Sequence, residues 1–179
     1  IINKLDKERA DFGHALDTAN NSFARSIVPF TLPIGSEENF RGVVDVVHLK
    51  AYEFDVNSKA KEIPIPETGR ENVDKTRERL VELVAESDDV LLEKYFEDGT
   101  LADDVVYENL ARAIAESKLC PVYAVSSTTL VGLSILLDHI VEFAPDPAHH
   151  ESEKGYQNPE SVGEEITRAY SNDAPFSAF

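Results

Sequence analysis

The order in which short apolar runs and helical patterns follow one another constrains this fold more than any other feature of the sequence. An apolar run at Ile1 and Ile2 is followed by a polar tetrapeptide and then by a helical pattern that begins near Phe12. Strand-like runs recur at residues 26–35 and 119–127. A strand, a helix and a further strand in this order are typical of an α/β unit with a parallel sheet.

A second set of patterns fills the middle of the chain. Residues 42–55 are rich in β-branched and aromatic residues, which predicts two short strands or one bent ribbon. Residues 57–69 are polar, contain prolines and predict a loop. From Arg70 to Phe96 the apolar residues recur at helical intervals, which predicts one long helix or two helices broken near Ser87 and Asp88. Three further helices are predicted, at residues 11–24, 103–117 and 132–147.

Together these patterns predict an α/β fold, the C-terminal part of a parallel, doubly wound sheet that carries an inserted subdomain. Residues 1–42 and 116–147 are expected to form the sheet and its helices, and residues 43–115 a mixed α+β insertion that is acidic. Residues 148–172 are polar and predict a linker, which leads into another element at residues 173–179.

The charge of the chain limits its partners. Thirty-four acidic residues against 17 lysines and arginines give a formal net charge of -17 at pH 7. This charge repels phosphate backbones, so direct nucleic-acid binding is not expected, whereas a basic protein partner is favoured. No apolar stretch approaches the roughly 18 residues of a membrane span, and the single cysteine, Cys120, favours a cytoplasmic location. The chain contains no methionine, which predicts that it is a piece of a longer protein.

Two polar clusters stand where strand-like runs end. The first contains Asn3, Lys4 and Asp6, and the second contains Ser126 and Ser127. Ligands of open α/β sheets bind beyond the carboxyl ends of the strands, so both clusters are expected at the same rim of the sheet.

The first cluster has the chemistry needed to recognise guanine. The carboxylate of Asp6 can accept two parallel hydrogen bonds from the ring N–H and the exocyclic amine of that base. The stem of Lys4 can lie over a flat base, and the amide of Asn3 offers both a donor and an acceptor. Adenine would place a lone pair against Asp6, which favours guanine strongly. The alternative is that Asp6 only caps the helix that follows.

An acidic helical face is a second candidate site. Glu82, Glu86 and Asp89 are spaced at i, i+4 and i+7, so a continuous helix would present them on one side. Such a face would attract a basic partner in a salt-sensitive way. The alternative is a solvated helix face that has no partner.

Other candidate sites are weaker. His149 and His150 precede Glu151, but adjacent side chains rarely converge on one metal ion, so no metal site is predicted. Cys120 is expected to be a small core residue rather than a nucleophile. Paired carboxylates elsewhere are expected to be solvated or to cap helices, and no catalytic residue is predicted.

Six segments of the sequence carry a resemblance to a known family: INKLD with ADF (2–12), LPIGSEENFRGVVDVVHLKA (32–51), ELVAESDDVLLEKYFEDG (82–99), PVYAVSS (121–127), LLDHIVEFAPDP (136–147) and DAPFSAF (173–179). On these segments the chain resembles bacterial elongation factor G, a translational GTPase, from end to end. The run IGSEENFRGVVDVV separates this family from the small signalling GTPases.

The resemblance implies a role for each residue of the two polar clusters. Asn3, Lys4 and Asp6 look like the family's guanine-recognition motif. Ser126 would brace the carboxylate of Asp6, and the backbone N–H of Ser127 would reach the guanine carbonyl. The family usually has alanine where this chain has Ser127, and this difference indicates a divergent paralogue.

The resemblance also implies a wider setting for the chain. It implies the second half of a P-loop GTPase domain that binds GTP or GDP with Mg²⁺, and a β-barrel domain that begins at residues 173–179. It implies action on the ribosome during translocation. The acidic face of Glu82, Glu86 and Asp89 would bind the C-terminal domain of the ribosomal stalk protein.

Some GTPase motifs are absent from the 179 residues. Neither the phosphate loop G-x-x-x-x-G-K-[ST] nor the metal motif Asp-x-x-Gly occurs, so the chain alone is not expected to catalyse hydrolysis. Three alternatives stay open: an interaction module with an impaired nucleotide site, a ribosomal protection or release-factor-like GTPase, and an unrelated hydrolase that uses paired carboxylates.

Overall fold

The computed structural model describes residues 1–23, 26–146, 152–156 and 165–169, and shows a mixed α/β fold. The chain forms two compact units, Ile1–Ala144 and Pro145–Phe179. The helices are α1 (Phe12–Ser22), α2 (Arg70–Ala85), α3 (Asp89–Asp98), α4 (Asp103–Ala115) and α5 (Leu133–Phe143). The strands are β1 (Ser26–Pro29), β2 (Thr31–Ile34), β3 (Gly42–Asp45), β4 (Lys50–Phe54), β5 (Ala60–Ile63), β6 (Leu119–Val122), β7 (Ser152–Tyr156) and β8 (Glu165–Ala169).

A parallel sheet of two strands joins the two ends of the first unit. Strand β1 pairs with β6 in parallel, from Ser26 opposite Leu119 to Pro29 opposite Val122. The N-terminal apolar run adds one parallel bridge, between Ile2 and Ala124 just beyond β6. Parallel pairing of this kind was expected from the alternating pattern of strands and helices.

The apolar run at 26–35 is two strands rather than one, because the chain changes sheets at Phe30. Strand β2 leaves the parallel sheet and begins an antiparallel sheet with the strand order β2-β3-β4-β5. The side chain of Phe30 is fully buried, and its backbone N–H donates to the carbonyl of Val122 at 2.8 Å. A run of apolar residues alone does not reveal such a change of sheet.

The predicted loop at 57–69 contains strand β5, so this prediction is wrong in part. Asp55 explains the turn that returns the chain, because its Oδ1 accepts from the backbone N–H groups of Asn57 and Lys59, at 2.8 and 2.9 Å. The turn brings Ala60 opposite Phe54 in an antiparallel pair.

The predicted helical break near Ser87 and Asp88 is confirmed. Helix α2 ends at Ala85, and α3 begins at Asp89 with Asp88 as its N-cap. The Asp88 carboxylate accepts from the backbone N–H groups of Val90 and Leu91, which satisfies two donors at the start of α3.

One hydrophobic core joins the parallel strands to α2, α4 and α5. Its fully buried members include Val28 and Phe30 near β1, Leu80 on α2 and Leu110 on α4. The helices at 70–115 therefore share their core with the parallel sheet. None of the helices in the described ranges is sufficiently long and apolar to cross a bilayer.

The second unit contains an antiparallel pair, β7 with β8. Both strands lie within residues 148–172, for which the sequence predicts a linker. Few apolar residues occur there, so the apolar pattern gave no indication of strands. The predicted domain start at 173–179 lies outside the described residues, as do His149, His150 and Glu151.

Candidate functional site at the rim of the parallel sheet

The structure brings together the two polar clusters that follow the N-terminal run and β6. Backbone hydrogen bonds align the two segments: Ile2 donates to Tyr123 at 2.9 Å, and Val125 donates to the carbonyl of Ile2 at 3.0 Å. Leu5 is buried between them and packs with Ala124 and neighbouring apolar residues. Because Leu5 anchors the turn, the polar residues on either side of it stay near the surface. We call Asn3, Lys4, Asp6, Ser126 and Ser127 the rim site.

Asn3 connects the two halves of the rim site. Its Nδ2 donates to Ser127 Oγ at 3.1 Å, and its Oδ1 accepts from the backbone N–H of Ser127 at 2.9 Å. The same Oδ1 accepts from the backbone N–H of Lys4 at 2.7 Å. The resemblance implied that the Ser127 N–H would reach a guanine carbonyl, and here this N–H is bonded to Asn3.

Asp6 is held by groups on both sides of its carboxylate. Ser126 Oγ donates to Oδ1 at 2.7 Å, and Lys7 Nζ lies 2.7 Å from Oδ2. The hydrogen bonds from Lys7 and Ser126 lower the pKa of Asp6 below its ordinary value, so the carboxylate is charged at neutral pH. The Asp6 side chain is 9% exposed and that of Lys7 is 55% exposed. Lys7 can therefore move into solvent more freely than Ser126 can.

Ser126 is fully buried and fixes the loop after β6. Its Oγ accepts from the backbone N–H of Thr129 at 3.1 Å while it donates to Asp6. Gly132 closes this loop with φ of 78°, and a Cβ there would lie 2.4 Å from the carbonyl oxygen of Ala124. Glycine is required at this close approach, which sets the start of α5 against the rim site.

Lys4 lies at the surface and has an unusual backbone. Its φ is 66°, in the left-handed region that non-glycine residues seldom adopt. The hydrogen bond from its N–H to Asn3 Oδ1 supports this turn. At this turn the side chain of Lys4 is exposed, whereas that of the next residue, Leu5, is buried.

The sequence did not indicate two residues that support the rim site. Lys7 and Thr129 both contact it, the first through its ammonium group and the second through its backbone N–H. In the sequence Lys7 is the residue that follows the predicted motif, and no pattern marks it as a partner of Asp6. The contact of Thr129 depends on the loop geometry, for which the sequence has no signal.

The acidic candidate residues are divided between two elements. Glu82 lies on α2, Glu86 caps its C-terminus, and Asp89 begins α3. Arg79 Nη1 lies 2.9 Å from Glu82 Oε2 and 3.3 Å from Glu86 Oε1. The single helical face does not form, because α2 ends before Asp89, and Arg79 partly neutralises two of the three carboxylates.

The fold and the rim site together define an α/β protein with a polar site beyond the carboxyl ends of parallel strands. No family model matches the chain. The chain is similar to the crystal structure of ttk003000868 from Thermus thermophilus, with 29% sequence identity and a TM-score of 0.75. The similarity covers 85% of this chain and 23% of the Thermus chain, so this chain spans about a quarter of that protein. The match supports the α/β fold.

Proposed function

We propose that this chain is the guanine-recognising part of a translational GTPase related to elongation factor G. The observation that supports the proposal most directly is the charged carboxylate of Asp6, which Ser126 holds just beyond the parallel bridge between Ile2 and Ala124. The sequence resemblance, which extends along the whole chain, supports the choice of family. In this proposal the nucleotide is GTP or GDP, and the longer protein acts on the ribosome.

In this proposal Asp6 selects the base. Its carboxylate accepts the ring N–H and the exocyclic amine of guanine, and Ser126 keeps it oriented through the 2.7 Å hydrogen bond. Lys7 occupies Oδ2 in the free chain, and its exposed side chain moves aside when the base enters. Adenine has no N–H at the matching ring position, so it leaves the carboxylate unpaired.

The remaining rim residues orient the base. The stem of Lys4 covers one face of the base while its ammonium group stays in water. Asn3 holds the Ser127 loop through two hydrogen bonds. The guanine carbonyl then shares the Ser127 N–H with Asn3. Phosphates and Mg²⁺ need groups that the 179 residues do not supply, so we expect weak binding by this chain and no hydrolysis.

The test is calorimetric titration of the 179-residue chain with GDP, ADP and xanthosine diphosphate. We expect GDP to bind more tightly than ADP, and Asp6→Asn to weaken GDP binding by about 10- to 100-fold, the contribution of a hydrogen bond to a charged group. The same variant is expected to improve binding of xanthosine diphosphate, because an amide N–H can pair with its additional carbonyl.

Asp11→Asn is a matched control for this titration. Asp11 is an exposed carboxylate that caps α1 through the backbone N–H of His14, and asparagine caps a helix equally well. We expect Asp11→Asn to leave GDP affinity unchanged. Equal affinities for GDP and ADP, or an Asp6→Asn variant that binds GDP as the wild type does, would show that Asp6 does not recognise the base.

A second candidate function is docking of a basic protein segment on α2 and α3. Glu86 and Asp89 are exposed, and α3 also exposes the apolar side chains of Val90, at 72%, and Phe96, at 76%. Carboxylates beside exposed apolar groups are suited to a basic amphipathic helix. We propose the C-terminal domain of the ribosomal stalk protein as this partner.

Salt and charge reversal test the docking proposal. Binding of the stalk domain is expected to weaken as salt rises and to weaken further in Glu82→Lys. Arg79→Ala is the opposing variant, because it removes the cation that competes for Glu82 and Glu86, and we expect it to strengthen binding. If binding responds neither to salt nor to these variants, then α2 and α3 are not the docking site of the stalk domain.

A further inference from the structure

A second group of polar side chains lies inside the first unit, apart from the rim site. Asp45 ends β3, His48 follows in the turn before β4, and His139 lies on α5. One potential ligand atom from each of the three residues lies within 4.8 Å of the other two. We call Asp45, His48 and His139 the buried cluster. Neither of the proposed functions uses it.

The Asp45 carboxylate has one oxygen oriented by the backbone and one that faces the imidazoles. Its Oδ1 accepts from the backbone N–H groups of Val47 and His48, at 2.9 and 3.1 Å. Its Oδ2 lies 2.8 Å from His48 Nδ1 and 3.2 Å from His139 Nε2. The turn therefore holds the carboxylate so that one oxygen converges with two ring nitrogens.

His48 also has an outer partner of the kind that supports metal-bound histidines. Its Nε2, on the far side of the ring from Asp45, lies 3.2 Å from Glu142 Oε1. Histidines that bind a metal through one nitrogen usually donate the other N–H to a carboxylate or carbonyl, which orients the ring. Glu142 occupies that position relative to His48.

His139 is almost completely buried, with 2% of its side chain exposed. Aromatic rings surround it, with centroids of Phe30, Tyr123 and Phe143 at 6.0, 5.6 and 5.3 Å from its own. Its Nδ1 has no hydrogen-bond partner in the described part of the chain. His139 therefore directs Nε2 towards Asp45 and keeps Nδ1 among aromatic rings, so Nε2 is the nitrogen that can bind a metal together with Asp45.

We propose that Asp45 Oδ2, His48 Nδ1 and His139 Nε2 bind a divalent transition-metal ion, with Zn²⁺ the best match to this set of donors. Two imidazoles and one carboxylate form a common zinc ligand set, and the fourth position is open to water. Ligands at 2.0–2.1 Å in a tetrahedron stand about 3.3–3.4 Å apart. The two separations from Asp45 Oδ2, 2.8 and 3.2 Å, are close to this value, and the two imidazole nitrogens lie within 4.8 Å of each other.

Access and affinity follow from the surroundings of the three ligands. The side chain of His48 is 27% exposed and gives the ion a route from solvent. Metal binding at His139 Nε2 leaves the proton on Nδ1, which has no acceptor among the described residues. The lack of such a partner typically lowers metal affinity by about 10- to 100-fold, so we expect micromolar rather than nanomolar binding.

A bound ion would connect the β3–β4 turn to α5. Asp45 ends strand β3 and His48 lies in the turn that follows it, whereas His139 and Glu142 lie on α5. Because the three ligands are assembled only in the folded chain, Zn²⁺ would stabilise that state. At a free concentration about 100 times the Kd, we expect Zn²⁺ to raise Tm by about 5–10 °C.

The test is calorimetric titration with Zn²⁺ together with thermal unfolding in the presence of Zn²⁺ or a chelator. The protein is the full chain with His149→Gln and His150→Gln, because these adjacent histidines could bind Zn²⁺ independently. We expect one Zn²⁺ per chain and the increase in Tm. Co²⁺ used as a probe should show the visible absorption of a tetrahedral nitrogen and oxygen site.

Two variants separate this site from other histidines. His48→Gln changes a half-buried residue, so we expect the chain to fold and to lose both Zn²⁺ binding and the increase in Tm. His14→Gln is the control, because His14 is exposed on α1 and is not part of the cluster. Circular dichroism without metal checks that each variant is folded. The proposal fails if the chain with His149→Gln and His150→Gln neither binds Zn²⁺ nor shows a rise in Tm, or if His48→Gln, introduced into that chain and still folded, responds to Zn²⁺ as the chain without it does.

Discussion

The rim site and the buried cluster both centre on a carboxylate that accepts hydrogen bonds, but their surroundings differ. The Asp6 side chain is 9% exposed, and one of its partners is Lys7, whose side chain is 55% exposed. Asp45 is 4% exposed and accepts from two backbone groups and two imidazoles. At the surface, water can replace a lost partner, whereas in the interior nothing can. We therefore expect the loss of a hydrogen-bond partner to lower stability more in the buried cluster than at the exposed residues of the rim site.

Asp45→Ala is the change with the largest expected effect. It removes the acceptor of the buried Val47 N–H and of both imidazoles. His139 then has no hydrogen-bond partner among the described residues, whereas His48 keeps Glu142. We expect the free energy of unfolding to fall by about 3–5 kcal/mol, the usual result of removing one partner of a buried pair. Urea denaturation followed by circular dichroism measures it. If the free energy of unfolding falls by less than about 1 kcal/mol, the buried cluster does not contribute more to stability than the rim site does.

Ser126→Ala tests whether the buried part of the rim site behaves like the interior. Ser126 is fully buried, and its loss leaves the Thr129 N–H without an acceptor and Asp6 without its inner donor. We expect a loss of about 1–3 kcal/mol in the free energy of unfolding. Ser127→Ala is the matched control, because Ser127 is exposed and water can replace its Oγ. Equal losses for the two serines would contradict the importance of burial.

The pH dependence of stability tests the pKa of Asp6. The hydrogen bonds from Lys7 and Ser126 hold the pKa of Asp6 below its ordinary value of 3.8. A lowered folded-state pKa contributes stability above that ordinary value, and the contribution is lost as the pH falls through the folded-state pKa. The difference in the free energy of unfolding between wild type and Asp6→Asn should therefore shrink as the pH falls below about 4. A constant difference from about pH 7 to about pH 2 would show that the Asp6 charge does not contribute.

Arg79→Ala is expected to have the smallest effect and provides a reference at the surface of the molecule. Arg79 is paired with Glu82 and Glu86, and all three side chains are substantially exposed. Solvent and side-chain entropy offset most of such ion pairs, so we expect a change of less than about 1 kcal/mol in the free energy of unfolding. A loss as large as that of Ser126→Ala would mean that the acidic region is more tightly packed than its exposure indicates.

The sequence revealed the rim site more readily than the buried cluster for a physical reason. Asn3, Lys4 and Asp6 are neighbours in the chain, and Ser126 ends a recognisable strand-like run. Asp45 and His139 are separated by 94 positions. Each lies in a run whose apolar residues indicate only a strand or a helix, so no local pattern predicts that they meet.

The elements of the fold show the same limit. The helices and the break before Asp88 followed from periodicity and capping, both of which are local properties. The change of sheet at Phe30 and the strand β5 depend on which strands become neighbours. Pairing partners are set by tertiary packing, so the sequence alone could not assign them.

The parallel pairing of β1 with β6 has a consequence for the order of folding. Ser26 and Leu119 are about ninety residues apart in the chain, and helices α2, α3 and α4 lie between them. Closing so long a loop costs entropy before any contact compensates for it. We expect the helices and the antiparallel sheet to form early, because their contacts are more local. The rim site depends on the segment that continues from β6, so it should be among the last parts of the molecule to assemble after synthesis.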